Sequence, residues 1–327
     1  LLLARYGLTG LPSARRLGMR FSEPETAGII AGCAAHGVLP LERPLTAAFA
    51  TLFMASAHAG GWPVVAGGSG SMADAMAAAL VARGGQIRTS TPVDSIDDLP
   101  AHRVVVFDTD AVQVARIAGD ALPHRYRRRL EEFRFGPGVC KVDHLLSGPV
   151  PWADPHSGSA GTVHVGGTLD EVAHAEAEVA DGRMPDRPFV LLAQQSRIDP
   201  SRTGPVGGTG EVLWSYTHVP HGSDVDASAA IEAQIERFAP GFRDLIVERI
   251  VTRAPEIAAW NRNYVGGDIT AGAMDGLQLF VRPRLFHPHR TPNPAIFLCS
   301  ASTPPGGGVH GMGGRHAARA ALSGLLA

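Results

Sequence analysis

The sequence predicts an α/β protein, α+β overall, built from two discontinuous domains. Val104 to Phe107 form a continuous apolar run typical of a strand buried on both faces, and Ile296 to Cys299 form another. Between them, residues 137–220 hold short β-prone segments separated by Gly, Pro, Asp and Ser clusters, a pattern typical of an antiparallel sheet. We therefore expect an α/β layer made from segments on either side of an antiparallel insertion.

Helical signals come first along the chain. Residues 21–58 are apolar-rich and interrupted by polar residues, so they predict two packed helices. Ser22 and Glu25 have the spacing of a capping box, and Pro24 suits a first helical turn. A glycine-rich entry then leads into an alanine-rich helix predicted over about 71–83, which ends at a Gly-Gly pair.

The predicted buried strand near residue 105 is followed by Asp108-Thr109-Asp110, which suits a turn and a helix cap. A helix is predicted over about 227–238, and a glycine-rich loop over 263–276. The strand candidates of the antiparallel sheet are CKVDHLLSG, GTVHVGG, PFVLLAQQS and EVLWSYTHV. A further β-prone segment, LIVERIVTRAP, follows the helix predicted over 227–238.

Composition limits the class of protein. The chain has 327 residues, 45% of them hydrophobic and 18% charged, with a formal charge of −2. This describes a folded globular protein with no basic field for a nucleic acid. Its three cysteines, Cys33, Cys140 and Cys299, are far apart and show no C-x-x-C spacing, so we predict a cytoplasmic location.

Other candidate sites are weak. His287 and His289 lie on either side of a proline with no nearby carboxylate, so we predict no metal site. No Ser-His-Asp order is evident, and no buried strand leads into GGSGS, which disfavours hydrolysis. The basic run from Arg125 to Arg129 is explained by a solvated helix face.

The segment CSASTPPGGGVHG, residues 299–311, joins the last predicted strand to the last predicted helix, and we call it the hinge. It places unpaired backbone N–H groups and the positive end of a helix dipole at the carboxyl end of a strand. Such a terminus receives a phosphate or another electron-rich atom, and glycine allows a ligand to approach the backbone.

Several segments, taken in order, resemble the phytoene desaturase-like FAD-dependent oxidoreductases, within the wider amine-oxidase and glutathione-reductase-like flavoprotein group. The resemblance extends from about residue 25 to the end of the chain. The segments are HAGGWPVVAGGSGSMADAMAAAL, GGQIRTSTPVDSI, VVVFDTD, CKVDHLLSGPVPW, NYVGGDITAGAMDGLQLFVRP and LCSASTPPGGGVHGMGGRHAARAAL.

The resemblance implies an FAD-binding-type domain and a substrate domain with a mainly antiparallel sheet and helices. It assigns 1–59 to the helical part of the substrate domain and 60–125 to the FAD domain. Residues 126–284 return to the substrate domain, and 285–327 supply the last strand, hinge and helix of the FAD domain.

Cofactor-binding residues follow from the same resemblance. The backbone of Val93 would pass near the adenine end of FAD. The hinge would follow the rest of the cofactor, from the ribityl chain to the isoalloxazine ring. The residues implied there are Ser300, Ser302, Thr303, Gly307, Gly308, Val309, His310, Gly311 and Met312.

Catalytic residues are not assigned by the sequence. His310 and Arg282 are weak candidates: His310 lies within the hinge, and Arg282 is either a surface charge or a group that positions substrate or flavin. Asp268 is expected to stabilise its own glycine turn, and the alternative is that it faces a cavity. The aromatic residues expected to line the core or a cavity are Trp62, Trp214, Tyr216, Trp260 and Tyr264.

One element of the family pattern is missing. The family opens with a strand, G-x-G-x-x-G and a helix that hold the FAD pyrophosphate, and this sequence has no such opening element, so its FAD-binding-type domain lacks the first βαβ unit. Three explanations stand open: truncation of a longer protein, a partner chain that supplies the unit, or loss of FAD binding. The apolar start without Met favours truncation, and these 327 residues alone are expected to bind FAD poorly and to be inactive.

The predicted function is that of an FAD-dependent oxidoreductase, of desaturase, dehydrogenase or isomerase type, acting on an apolar small molecule, with isoprenoid or carotenoid-like compounds as candidates. The alternatives are a non-catalytic binding or assembly module and one half of a split flavoenzyme. Peripheral membrane contact and a homodimer stay open.

Overall fold

The computed structural model describes residues 2–204 and 210–324, with side chains from residue 6 onward. Helices and strands alternate through a mixed α/β chain. The helices are α1 (Leu2–Gly10), α2 (Ala14–Gly18), α3 (Pro24–Ala35), α4 (Thr46–Gly60), α5 (Ser69–Val81), α6 (Ala111–Ala118), α7 (His124–Glu131), α8 (Leu169–Ala180), α9 (Gln195–Ile198), α10 (Ser228–Phe238), α11 (Ala254–Trp260) and α12 (Met312–Leu322). The strands are β1 (Val105–Phe107), β2 (Gly138–Leu146), β3 (Thr162–Val165), β4 (Val190–Ala193), β5 (Glu211–Val219), β6 (Ile246–Thr252) and β7 (Ile296–Leu298).

The chain forms two compact units, each built from two stretches of sequence. The first unit comprises Leu1–Ile87 and Val139–Ala254, and the second comprises Arg88–Gly138 and Pro255–Ala327. Both the α/β mixture and the insertion of one stretch within another agree with the fold class expected from the sequence.

The unit boundaries differ from the predicted domain boundaries. Residues 60–87 belong to the first unit, while 126–138 and 255–284 belong to the second. The reason for the second difference is packing, because Tyr126 and Leu130 of α7 are buried in the same core as α6. Whether one unit holds a cofactor and the other a substrate stays a prediction.

A five-stranded sheet with the order β3-β4-β5-β2-β6 organises the first unit. The pairs β3–β4, β4–β5 and β2–β6 are antiparallel, as predicted for this stretch. Buried and partly buried residues alternate along most of β5, as expected for a strand with one face on a core. Helix α10 supplies buried Ile231 and Ile235 to one core cluster, together with Val142 and Leu192 of the sheet.

Helices α3 and α4 confirm the prediction of two packed helices over 21–58, and Pro24 stands in the first turn of α3. The predicted capping box is wrong. Glu23, not Ser22, is the N-cap residue, and no side chain accepts a hydrogen bond there. The Ser22 hydroxyl donates instead to the Glu23 carboxylate, at 3.0 Å, so it is not available to cap the helix.

The alanine-rich helix α5 begins and ends two residues earlier than predicted and buries none of its residues. Two aromatic predictions are also wrong, because Trp62 is 54% and Trp260 is 80% exposed. Trp214 and Tyr216 agree with the prediction: they are partly buried against the core of the first unit, with their rings stacked at 6.1 Å.

The second unit contains a two-stranded parallel sheet. Strand β1 pairs with β7 in the register Val105↔Ile296 to Phe107↔Leu298, which confirms the predicted pairing across the insertion. All residues of β7 are buried. The prediction that β1 is buried on both faces is wrong at Val106, which is 43% exposed, because only Val105 and Phe107 point toward the core formed with α6.

No helix within the described residues is long and apolar enough to cross a membrane. Cys33, Cys140 and Cys299, all among the residues that the structure describes, are not joined by disulfide bonds.

Candidate functional site

The candidate site lies in the second unit, where β1 and β7 end. Phe107 and Leu298 are paired at the ends of these parallel strands, so Asp108 and Cys299 follow side by side. The backbone N–H of Cys299 donates to the Phe107 carbonyl at 2.8 Å. In open α/β sheets, ligands bind beyond the carboxyl ends of the strands. The hinge of residues 299–311 therefore begins at the edge where such folds bind their ligands.

The Cys299 thiol is not a nucleophile. It donates a hydrogen bond to the carboxylate of Asp108. Burial, and then the neighbouring charge and hydrogen bond of Asp108, raise the pKa of Cys299 to about 12. The thiolate required for nucleophilic chemistry is therefore not formed at neutral pH. The pair instead joins the ends of the two strands.

Buried hydroxyl residues form the first part of the hinge. Ser300, Ser302 and Thr303 are 7%, 2% and 1% exposed. The Ser302 hydroxyl donates to the Ala271 carbonyl at 3.0 Å, and the Thr303 hydroxyl donates to the Ser300 carbonyl at 2.7 Å. Both hydroxyls already donate to backbone carbonyls, so they hold the hinge backbone in place.

Glycines give the rest of the hinge its shape. Gly306, Gly308 and Gly311 have φ of 98°, 143° and 61°, values that side chains with a Cβ rarely adopt. Their spacing matches G-x-G-x-x-G, a match that the sequence analysis missed. The match does not make the hinge a pyrophosphate loop, because several residues separate Gly306 from the end of β7 instead of the tight turn that the pattern requires.

Helix α12 packs closely on the end of β7 at Gly313, two residues after Gly311. A Cβ placed on Gly313 would collide with the carbonyl oxygen of Cys299, whereas Gly314 has open space around it. Gly313 is therefore the glycine that lets α12 lie against the end of β7. The sequence shows both glycines, but it does not show which one faces the strand.

Helix α12 begins without a side-chain cap. Its N-cap residue, Gly311, is left-handed and has no side chain. The Met312 N–H donates to Nδ1 of His310 at 3.1 Å, which makes Nδ1 an acceptor and places the proton of the neutral imidazole on Nε2. The following first-turn N–H groups have no partner within the helix. Together with the helix dipole they favour an electron-rich atom at this end of α12.

The loop beside the hinge is fixed by Asp268, which is fully buried. One carboxylate oxygen accepts from the N–H and hydroxyl of Thr270 at 2.7 and 2.6 Å. The other accepts from the N–H groups of Gly136 and Gly272 at 2.7 and 3.0 Å. Four charge-assisted contacts confirm the prediction that Asp268 stabilises its own glycine turn.

Arg282 is buried, at 2% exposure, so the prediction of a surface charge is wrong for this residue. Its guanidinium donates to backbone carbonyls on both sides of the site. The acceptors are Ala271 at 3.1 Å, Gly272 at 3.3 Å, Ala273 at 3.4 Å and Ala301 at 3.0 Å. Burial lowers the pKa of Arg282, and the charge of Asp268 opposes this effect. Arg282 thus ties the loop of residues 271–273 to the hinge.

Several of the other predicted site residues are exposed. Val309 is 87% exposed, and His310 and Gly308 are also exposed. Val93 is partly buried against the core that contains Phe107 and Leu298. Cofactor binding by these residues stays a prediction. Within residues 2–204 and 210–324, no three His, Cys, Asp or Glu side chains are arranged to hold a metal ion.

A cavity of about 700 Å³ lies in the first unit between α3 and β3. Gly32, Cys33 and His164 are among its walls. His164 and His36 face each other with their Nε2 atoms 2.9 Å apart, so one ring donates and the other accepts. Burial lowers the pKa of His36 to about 3 and that of His164 to about 4, and the neighbouring imidazoles contribute at His36. Sequence spacing gave no signal for this pair, which is 128 residues apart.

Comparisons with known proteins give the fold and a distant relationship. No family model matches the chain. Over 295 residues it is 26% identical to pyridine nucleotide-disulfide oxidoreductase domain-containing protein 2 of Mus musculus, and over 300 residues it is 27% identical to the protein of that name from Rattus norvegicus. Each match covers 79% of this chain and 51% of the relative, so the chain spans about half the length of these curated relatives.

Solved structures give the same picture of the fold. An oxidoreductase from Methanosarcina mazei matches with a TM-score of 0.61 at 13% identity, over 100% of this chain and 70% of that one. Putrescine oxidase bound to putrescine matches with a TM-score of 0.57 at 17% identity, over 98% of this chain and 69% of that one. The chain therefore shares the fold of these two solved structures.

Proposed function

We propose that this chain belongs to an FAD-dependent oxidoreductase and that the hinge borders the ring end of the flavin. The observation that carries the proposal is the start of α12, where uncapped backbone N–H groups follow a glycine hinge beyond the ends of two parallel strands. The relationship to the mouse and rat proteins and the fold shared with oxidoreductases support it.

The residues at the hinge fit a flavin ring. A bound flavin supplies hydride or electron transfer, and its ring gains negative charge when reduced. The backbone N–H groups of Gly313 and Gly314 would stabilise that charge, because they start α12 and carry its positive dipole end. Gly307, Gly308 and Val309 would border the ring with backbone atoms, since two of them lack side chains and Val309 points outward.

The hydroxyl residues have a supporting part in this proposal. The hydroxyls of Ser302 and Thr303 donate to backbone carbonyls. We therefore propose that these two residues shape the hinge beside the ribityl group and contact that group through their backbone atoms. Val93 remains the proposed backbone contact for the adenine end. The pyrophosphate cradle of the resembling family is not among the segments found here, so the proposal is made for the ring end.

The polar side chains near the hinge suggest which residue contacts a ligand and which residue positions the site. His310 keeps the proton on Nε2 free for a ligand, since Nδ1 is occupied by the Met312 N–H. Arg282 would act as a positioning residue, because both of its Nη groups donate to backbone carbonyls. We propose an apolar small-molecule substrate and a desaturase, dehydrogenase or isomerase type of reaction, supported by the resemblance to phytoene desaturase-like enzymes.

The test is to purify the protein expressed from its complete reading frame and to record its absorbance spectrum. We expect flavin bands that bleach on anaerobic reduction by dithionite. A colourless protein that takes up no added FAD would instead support the alternative, a binding or assembly module without a flavin. A split flavoenzyme would show flavin bands only after coexpression with a second chain.

A further inference from the structure

A basic groove lies on the second unit, away from the residues of the candidate site. It has a volume of about 810 Å³ and is formed by the first part of α7 together with Arg284 and Pro292. Its charged lining residues are Arg125, Arg128, Arg129, Glu132 and Arg284. The volume is within the range of small-molecule sites, which hold ligands larger than one phosphate.

The groove carries an excess of positive charge. Its carboxylate, Glu132, is paired with Arg128 at 3.4 Å. Arg125 and Arg129 make no ion pair with any part of the chain that the structure describes, and both are exposed. Arg284 donates one N–H to the Arg290 carbonyl at 3.0 Å and keeps the rest of its guanidinium for another acceptor. Three guanidinium groups are thus available to an anion.

Helix α7 adds its positive end to the same groove. Pro123 is the N-cap residue and provides no side-chain acceptor, and Pro123, His124 and Arg125 all line the groove. The Tyr126 and Arg127 N–H groups bind the Pro123 carbonyl, at 2.9 and 3.1 Å. The two N–H groups before them start the helix without an intrahelical acceptor. The helix dipole therefore reinforces the charge of the arginines.

A second, independent feature is the side chain of Tyr126. It lines the groove and is 8% exposed, yet its buried hydroxyl has no hydrogen-bond partner in the structure. Burial raises the pKa of Tyr126 to about 12, although the nearby charges of Arg284 and Arg129 act in the opposite direction. The hydroxyl keeps its proton at neutral pH and is a free donor, which is unusual because buried polar groups nearly always have a partner.

We propose that this groove binds a small molecule carrying two or more phosphate groups, such as a nucleoside diphosphate. Arginine guanidinium groups match phosphate oxygens in geometry and charge, and the uncapped start of α7 adds N–H donors. The exposed arginine side chains would surround the ligand, and the Tyr126 hydroxyl, which lacks a partner in the protein, would donate to a phosphate oxygen. The groove is a site separate from the proposed flavin contacts.

The first test measures the affinity of the protein for ADP, pyrophosphate and adenosine by titration calorimetry. We expect ADP and pyrophosphate to bind and adenosine to bind much more weakly, because it lacks phosphate. Arg129→Gln and Arg284→Gln are each expected to weaken ADP binding about tenfold, as expected for the loss of one charge-assisted hydrogen bond.

The matched control is Arg127→Gln. Arg127 lies on the same helix but is paired with Asp120, so its replacement removes the same charge outside the groove. It is expected to change ADP affinity by less than about twofold, since an exposed charge at a distance is screened by salt. An equal loss in Arg127→Gln and Arg129→Gln, or equal binding of ADP and adenosine, would overturn the proposal. ADP bound at the hinge instead would leave all three variants unaffected, which also overturns it.

Tyr126→Phe separates a ligand contact from a packing role. It removes an unsatisfied buried hydroxyl, so the melting temperature should stay the same or rise. ADP affinity should nevertheless fall severalfold. Unchanged ADP affinity would contradict the assignment of the hydroxyl to the site.

A lipid headgroup presents the same phosphate chemistry, so vesicles form the second arm of the test. Phosphatidylcholine vesicles with and without phosphatidate are sedimented with the wild type and with Arg129→Gln. Binding of ADP alone assigns the groove to soluble phosphates, and binding of phosphatidate vesicles alone assigns it to lipid headgroups. If neither binds, the proposal fails.

Discussion

The guanidinium of Arg282 is surrounded by backbone carbonyls, and the charge of Asp268 is the one that opposes its loss of hydration. The sequence left Arg282 open between a surface charge and a positioning group, because nothing in FVRPRL shows which residues face inward. Asp268 was easier to predict, since a carboxylate next to glycines commonly binds the N–H groups of its own turn. Long-range partners such as Ala301 are beyond what local sequence can show.

Replacing Arg282 by Met should destabilise the protein by about 2–4 kcal/mol, because buried carbonyls lose their donors. Arg282→Lys should recover part of the loss, since an ammonium reaches fewer carbonyls than a planar guanidinium. Urea unfolding measures both, with exposed Arg315→Met as the control. If Arg282→Met lowered the free energy of unfolding by less than about 0.5 kcal/mol, the hydrogen bonds of Arg282 would not stabilise the fold.

The facing imidazoles of His36 and His164 predict a loss of stability in mild acid. Their pKa values of about 3 and 4 in the folded protein lie below the ordinary value of 6.5. The unfolded chain therefore takes up protons first as the pH falls through 6.5, and stability is lost down to the folded pKa values. Between pH 7 and 5, each imidazole should cost roughly 2 kcal/mol of unfolding free energy.

Urea unfolding at pH 7 and pH 5, for the wild type and for His164→Gln, measures this effect. The variant keeps a hydrogen-bonding group but removes one titrating imidazole, so its stability should depend less on pH. Equal pH dependence in the two proteins would contradict the account of the pair.

At the scale of elements, the helices and strands were largely predictable, because alternation and apolar runs reflect burial directly. The strands of the antiparallel sheet and the pairing of β1 with β7 agree with the sequence patterns. The errors came from residues whose local sequence pattern fits more than one structural role. The hydroxyl of Ser22 binds Glu23 instead of capping α3, and Val106 lies on the less covered face of β1.

The two glycines in the first turn of α12 give a matched pair of substitutions. Gly313→Ala places a methyl group against the Cys299 carbonyl, so the helix must move away from β7. We expect it to destabilise the protein by about 1–3 kcal/mol. Gly314→Ala enters open space and should stabilise the helix by about 0.5–1 kcal/mol.

Thermal unfolding of the two variants tests this difference. The adjacent substitution serves as the control, since both add one methyl group to the same turn. Similar melting temperatures for Gly313→Ala and Gly314→Ala would show that α12 does not depend on close approach to β7.

At the scale of the whole molecule, the chain forms two compact units and shares its fold with a solved oxidoreductase from Methanosarcina mazei. The unit boundaries were harder to predict than the elements, because assigning 126–138 to a unit requires knowing that Tyr126 and Leu130 are buried with α6. The identities of the cofactor and the substrate belong to the proposed function. The hinge has the backbone geometry to receive an electron-rich ring, which is the basis of the proposed flavin contact.

Hydrogen exchange followed by mass spectrometry tests the central claim most directly, on the protein expressed from its complete reading frame, with and without FAD. The account predicts that FAD slows exchange in the peptide covering residues 307–314, which contains the N–H groups of Gly313 and Gly314 at the start of α12. The peptide of α10, in the first unit, serves as the internal control. Tight FAD binding with unchanged exchange at residues 307–314 would contradict the assignment of the hinge to the flavin.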